Sequence, residues 1–488
     1  MSGDDLQVTA SRFGHGYVLS RGGSVPEAAS DWATLDVGAA QLRTHPRTVV
    51  STARTPLSGR AQVVLIGQPL DVDAGTSDGG RIAASVLAAL RHGLDAAVER
   101  VAALSGRYTA VLRSGSRLHV IPDSHATQPV FWATRPAAAT GAEVLAVASH
   151  AVLAADVVGA GLDEKALALH DGIREWRKNR TIFMPGLTTT HEGVLPVFAN
   201  CLLDVDLDRP SAAHHRRFWP HERREKASVD DVVAEFTERF VELTRLAMSL
   251  GPSAISLTSG LDSRMTLVAA SCLARADDFA FTYVRPQDLV SQEGVRSDLF
   301  GASRLAFAAG LRHRVIQWRL PDEDDPFLVA HRQSFPGLRS SLGAATAMFH
   351  DLPHDIVELQ SILAETGTYF YRRTASGPDP RAIAALTFGP PTANRPEYVA
   401  EFERLVDYTQ FTRDRLLGYN WHDLTYWEHR MVKWAARKFQ EGDMSHRVAL
   451  PFADRRLIAL MLSVPPEDRL AKTLFSRFLA RRPDLATL

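Results

Sequence analysis

Apolar residues in the first part of the chain arrive in short, dense runs. Val63-Val64-Leu65-Ile66-Gly67 reads as a buried strand, and residues 106–112 begin a second one at Gly106-Arg107-Tyr108. Leu118-His119-Val120-Ile121-Pro122-Asp123, Val130-Phe131-Trp132-Ala133 and Val144-Leu145-Ala146-Val147-Ala148-Ser149 predict three more. Between them, residues 81–90 and 94–104 place apolar side chains at helical spacing. Strands gathered around helices predict an α+β sandwich with helical layers over residues 1–215.

The pattern changes after Phe218-Trp219-Pro220. The charged stretch His221-Glu222-Arg223-Arg224-Glu225-Lys226 suits a linker or solvated loop, and a second unit is expected over 221–488. It opens with an amphipathic helix from Asp230, where Val233, Phe236, Phe240, Leu243 and Met248 fall close to one face. Ala254-Ile255-Ser256-Leu257 then runs into Thr258-Ser259-Gly260-Leu261-Asp262-Ser263, and Met265-Thr266-Leu267-Val268-Ala269-Ala270 suits a helix. Phe279-Ala280-Phe281-Thr282-Tyr283-Val284, a helix over 298–309 ended by Gly310, and Arg314-Val315-Ile316-Gln317-Trp318 follow. This alternation predicts a doubly wound parallel sheet with a helical C-terminal part, including a long helix over 424–439.

Strand, small-residue loop, helix is a geometry that takes phosphate. Small residues admit the backbone to the anion, and the helix N-terminus supplies unpaired N–H groups and a positive dipole end. At the carboxyl end of a parallel strand, the loop would lie where such sheets hold ligands. Asp262 there suits either a Mg²⁺ ion bridging phosphates or a plain helix cap.

Charge and composition narrow the partners. Lys and Arg number 55 against 56 Asp and Glu, a net charge of −1, which gives no support for a nucleic-acid or membrane-surface role. No apolar run approaches the roughly 20 residues that span a bilayer. Two cysteines, Cys201 and Cys272, imply no disulfide framework, and with the acidic Met1-Ser2-Gly3-Asp4-Asp5 start the expectation is a cytoplasmic protein.

These features together resemble the asparagine synthetase family of the glutamine-hydrolysing class, over nearly the whole chain. The anchor is Thr258-Ser259-Gly260-Leu261-Asp262-Ser263, similar to that family's Ser-Gly-Gly-x-Asp-Ser loop. Leu450-Pro451-Phe452-Ala453-Asp454 resembles its Pro-Phe-Leu-Asp element and Lys472 its C-terminal lysine, while Gly106-Arg107-Tyr108 and Asp123 fit its N-terminal domain. The resemblance implies an Ntn-hydrolase-like sandwich followed by an ATP-pyrophosphatase (PP-loop) domain. Two departures matter. The family's catalytic cysteine after the initiator Met is Ser2 here, so the sandwich is expected to be silent toward glutamine. The family's second acidic loop is missing, and Ala364-Glu365-Thr366-Gly367-Thr368-Tyr369 stands near its place, with Glu365 as the candidate substitute ligand for metal or pyrophosphate.

The departures resemble the offshoots that use a free amine: β-lactam synthetases, carbapenam synthetases and lasso-peptide cyclases. What they imply is carboxylate activation with ATP and Mg²⁺. The substrate acid becomes an acyl-adenylate with release of pyrophosphate, and an amine then attacks to give an amide and AMP. Thr258, Ser259, Gly260, Leu261, Asp262 and Ser263 would hold ATP and pyrophosphate, with the Ser259 and Ser263 hydroxyls in the cradle. Asp262 and Glu365 would be the metal ligands, and Lys472 would stabilise developing charge. In the β-lactam-forming relatives a Tyr–Glu pair takes the amine proton. Tyr426 and Glu428 are too near in sequence to face one another, so Tyr369 or Tyr371 with Glu428 is the expected pair. The partners implied are a small-molecule or peptide acid and an amine, with a further protein of a biosynthetic pathway where the substrate is a peptide. Asparagine synthesis from free ammonia and a catalytically silent scaffold are the alternative readings.

Overall fold

The computed structural model describes residues 8–56, 59–136, 143–177, 182–338, 342–374 and 377–486; Ser2 lies outside them. Twelve strands precede residue 218 among the described residues. In chain order they are β1 (Tyr17–Arg21), β2 (Ala33–Val37), β3 (Ala40–Thr44), β4 (Val50–Arg54), β5 (Ala61–Leu70), β6 (Ser105–Ser114), β7 (Arg117–Pro122), β8 (Phe131–Pro136), β9 (Glu143–Ala148), β10 (Leu195–Pro196), β11 (Cys201–Asp206) and β12 (His214–Arg217). They form two antiparallel sheets, ordered β10-β8-β9-β1-β3-β2 and β12-β11-β7-β6-β5-β4.

Alternation along the strands explains the layering. Tyr17, Leu19, Leu145 and Val147 of the first sheet meet Val64, Ile66, Val111 and Val120 of the second in one buried core. The residues one step out of phase, such as Val63 and Leu65, face helices Gly79–Leu90 and Leu94–Ala102. On the outer face of the first sheet, Ala146 and Ala148 pack with Leu153 and Ala154 of helix Ala151–Val158. The order is therefore helix, sheet, sheet, helix.

The second unit holds a five-stranded parallel sheet: β13 (Ser253–Ser256), β14 (Phe279–Val284), β15 (Arg312–Gln317), β16 (Val357–Leu359) and β17 (Arg447–Ala449), ordered β15-β14-β13-β16-β17. β13 pairs with β14 from Ala254 against Phe279 and with β16 from Ser253 against Val357. Helix Val229–Met248, started by a reciprocal Ser228–Asp231 capping box, lies against the sheet through Phe236, Phe240 and Leu243. The expected helix over 424–439 is present but not uniform. It runs as α over Trp421–Thr425, as π over Tyr426–Ala435, and as α again over Ala436–Asp443. Cys272 is exposed, while Cys201 is buried.

Buried polar contacts join the two units. Arg107 donates to both oxygens of Asp443 at 2.8 Å. The Gly106 N–H donates to the Ala453 carbonyl at 3.0 Å, and the Trp427 indole to the Ser124 carbonyl at 2.8 Å. Asp454 caps helix Arg455–Ser463 through the Leu457 N–H and takes Arg239 at 2.9 Å. So the Leu450-to-Asp454 element is a corner between the units.

Four histidines, His125, His150, His215 and His429, are buried around this seam. Burial lowers all four, to about 3 for His150, His215 and His429 and well below the ordinary value for His125. The unfolded chain binds these protons near pH 6.5, whereas the folded protein does not. Stability is therefore full above that pH and is lost as the pH falls below it, at up to about 1.4 kcal/mol per pH unit for each histidine. Urea unfolding midpoints should drop steeply between pH 7 and pH 5; a flat profile would contradict the buried, neutral assignment.

Candidate functional site

The sheet order sets one crevice apart. From β13 the chain moves outward to β14 and β15, then returns to the opposite side of β13 for β16 and β17. Connections leave β13 and β16 in opposite directions, and crevices of this kind, at the carboxyl ends of the strands, are where open parallel sheets take ligands. Two sequence-predicted segments arrive there: Thr258–Ser263, after β13, and the 3₁₀ turn Ile362–Gly367, after β16. A buried hydrogen bond between the Thr266 and Ser361 hydroxyls, 2.8 Å, ties them together.

The loop is held by its own side chains. Ser263 Oγ takes the Thr258 N–H at 3.1 Å and lies 3.0 Å from the Thr258 hydroxyl, and Gly260 N–H donates to Thr258 Oγ1 at 3.2 Å. Gly260 is the N-cap of helix Leu261–Ser271 and has no side chain to fill that role. Asp262 accepts no backbone N–H among the described residues, so the plain-cap reading does not apply to it. Instead the Lys472 ammonium donates to Asp262 Oδ1 at 2.7 Å, with both side chains about one-quarter exposed (29% and 24%). Lys472 reaches it from a left-handed residue, φ 53°, between helices Pro466–Ala471 and Thr473–Leu479. The N–H groups of Leu261, Asp262 and Ser263 start the helix and meet no acceptor among the described residues, which leaves donors of the kind that suit an anion.

The two hydroxyls expected in the cradle are otherwise engaged. Ser263 serves the loop, and Ser259 donates both its N–H (2.7 Å) and its hydroxyl (2.5 Å) to Asp298 Oδ1. Asp298 stands on helix Glu293–Ala308, which starts five residues earlier than its sequence pattern indicates. A carboxylate thus occupies the place at Ser259 where a phosphate oxygen was expected. Nothing local in the sequence marks Asp298; only the folded sheet brings it to the loop.

Glu365 is engaged by a tyrosine. Its Oε2 accepts the Tyr426 hydroxyl at 2.5 Å. Burial, and then the Glu365 charge, hold the Tyr426 phenol well above its usual value. Glu428, the expected partner of a tyrosine, is turned to the sandwich. Its carboxylate is buried and gripped by Arg217 of β12 at 2.6 and 2.7 Å, with Asn200 donating at 2.9 Å. Two residues apart on the π-wound turn, Tyr426 and Glu428 point to different sides, so the Tyr–Glu pair forms with Glu365. Tyr371 packs on the Tyr426 ring at 6.0 Å, its hydroxyl pushed up to about 12 by burial. Tyr369 lies beneath the Arg469 guanidinium at 5.2 Å. Among the described residues neither tyrosine is hydrogen-bonded to Glu428, whose partners are Arg217 and Asn200.

For magnesium, no group of three or more His, Cys, Asp or Glu side chains suited to a metal occurs among the described residues. Mg²⁺ held mainly by phosphates needs only one or two protein carboxylates. Asp262, at the helix start and partly open, fits that donor set; Glu365, engaged by a phenol, fits it less well.

No family model matches the chain, and no curated protein matches it. Solved structures similar to it include a glutamine phosphoribosylpyrophosphate amidotransferase from B. subtilis complexed with ADP and GMP, with 12% identity and a TM-score of 0.25, covering 76% of this chain and 73% of that one. Another is the allosteric regulatory enzyme of purine biosynthesis, with 11% identity and a TM-score of 0.24, covering 73% of this chain and 70% of that one. No helix among the described residues is long and apolar enough to cross a membrane.

Proposed function

We propose that the protein is an ATP-dependent, AMP-forming ligase that adenylates a carboxylate and joins it to an amine. The observation that carries this reading is the Lys472–Asp262 contact, 2.7 Å, at the helix start beside the switch point of the parallel sheet. Residues 210 positions apart converge there, and they are the lysine and aspartate that the resemblance to asparagine synthetases assigns to nucleotide chemistry. The N–H groups of Leu261, Asp262 and Ser263, which meet no acceptor among the described residues, belong to the same helix start. They would receive pyrophosphate as the substrate carboxylate attacks the α-phosphorus. Lys472 would leave Asp262 to neutralise charge on the phosphates. Magnesium, bound by Asp262 and the phosphates, would add further charge neutralisation.

Amide formation then needs a proton acceptor for the amine. Tyr426 would take the amine proton as its own moves to Glu365, already 2.5 Å away. A phenol whose proton is stabilised by a neighbouring carboxylate is a poor base at rest, so the dyad must act in concert with attack on the adenylate. Tyr426→Phe should slow amide formation by about a hundredfold or more while leaving adenylate formation in place. Single-turnover assays that separate pyrophosphate release from AMP release test this split; equal loss of both would remove Tyr426 from the second step.

One observation favours a silent scaffold instead: Asp298 already occupies Ser259, as an internal carboxylate in place of phosphate. Substrate-dependent exchange of labelled pyrophosphate into ATP decides between the two. Exchange with any carboxylate supports the ligase, and a wild type that neither exchanges nor binds Mg-ATP supports the scaffold. Dependence on aspartate and ammonia would mark asparagine synthesis.

A further inference from the structure

A second cavity lies away from the crevice, in the seam between the two units. Its volume is about 70 Å³. At roughly 10–15 Å³ for each water-sized occupant, that is room for about five to seven heavy atoms. Val130, Phe131 and Val152 wall it from the sandwich, and Met184, Phe335 and Leu338 close the other sides.

Polar groups on the wall divide into two kinds. Most are satisfied within the protein. The Thr188 hydroxyl donates to the Pro185 carbonyl, Thr189 to the Val194 carbonyl, and Thr190 is paired with His191. Gln440 donates to the Ser149 carbonyl and meets His150. The exceptions are two cations four residues apart, Lys433 and Arg437. The Lys433 ammonium has one acceptor, the Thr188 carbonyl, and lies 5.8 Å from the centre of the Phe198 ring. Among the described residues no carboxylate lies within 4.0 Å of it, two of its three donors meet no acceptor, and the Glu401 charge acts on it only from beyond that distance. Arg437 Nε is buried with no hydrogen-bond acceptor, and its nearest carboxylate oxygen, on Glu441, is 3.7 Å away. Burial lowers the Lys433 amine to about 7, in keeping with a cation short of a counter-charge. A largely apolar cavity with cationic donors left over is complementary to an anion that carries a short apolar tail.

We propose that this cavity binds a small aliphatic carboxylate, with its carboxylate on Lys433 and Arg437 and its chain among the apolar walls. The ligand would touch both the sandwich and the helical segment Val432–Gln440, and so would fasten the seam. This site is separate from the adenylation reading and stands or falls independently of it.

Butyrate is a probe of the right size, and butyramide is its uncharged match. Both are titrated into the full-length protein at pH 7 and followed by saturation-transfer NMR of their methylene protons. Butyrate should bind saturably, and butyramide at least about tenfold more weakly, as expected for one lost charge-assisted contact. Lys433→Met should shrink the difference several-fold, since Arg437 remains, and Lys433→Arg should retain more of it. In the unsubstituted protein, butyrate but not butyramide should slow acylation of Lys433 by an amine-reactive ester, read by peptide mass spectrometry, so the result does not depend on the variants folding. The proposal is overturned if the two probes behave alike, including a failure of both to saturate, or if the preference is undiminished in a folded Lys433→Met protein.

Discussion

Arg217→Met should destabilise the protein by about 3–5 kcal/mol, the range for stripping one partner from a buried ion pair. Arg217 and Glu428 are 2% and 4% exposed and joined by two short hydrogen bonds. With Arg217 gone, the Glu428 carboxylate would remain inside with only the Asn200 amide, 2.9 Å away. A buried charge left that way must either pay for its desolvation or take up a proton. Arg217 also donates to the Thr409 carbonyl (3.0 Å) and the Trp219 carbonyl (3.1 Å), so the substitution orphans backbone acceptors as well. The measurement is the urea midpoint, by tryptophan fluorescence, of Arg217→Met, Glu428→Leu and the double variant. The double variant should be more stable than the sum of the singles implies, because it removes both charges together. Strict additivity would mean that the pair contributes nothing as a pair.

That pair also shows where sequence reasoning stops. Dense apolar runs were legible because burial on both faces of a strand leaves a local trace: the strand expected at 279–284 is β14. β2 and β4 left little trace, for β2 is mostly exposed and β4 is an edge strand, so neither carries a clean alternation. β16 has only three residues, too few for a period to show. In the site, the small-residue loop declared itself through its own composition, and Lys472 through resemblance. The partners did not. Tyr426 and Glu365 are 61 residues apart, and only the packing of the 3₁₀ turn Ile362–Gly367 beside the helical segment brings them together. Resemblance and a place on a helix single out Glu428, and neither marks the buried Arg217 that claims its carboxylate. Asp298 is the same kind of case, since its contact with Ser259 is made by the packing of helix against sheet.

Asp262→Asn should lower Mg-ATP affinity and pyrophosphate exchange by about a hundredfold or more, the scale on which losing one charge-stabilising group at a reacting phosphate is felt. Asparagine keeps the size and the hydrogen-bonding reach of aspartate, so it isolates charge. In the free protein Asp262 meets Lys472 across a partly open contact, where an ion pair contributes little to stability. The melting profile should therefore move little, and this separates the two predictions: Arg217→Met harms the fold, Asp262→Asn the nucleotide site. Calorimetric titration of Mg-ATP is the direct measurement, with Lys472→Met beside it. If Lys472 serves the phosphates, its loss should weaken exchange as well, even though it frees Asp262 for the metal. If instead the contact is only a surface pair, Lys472→Met and Asp262→Asn would both bind Mg-ATP as the wild type does, and the crevice would have to be read as structural.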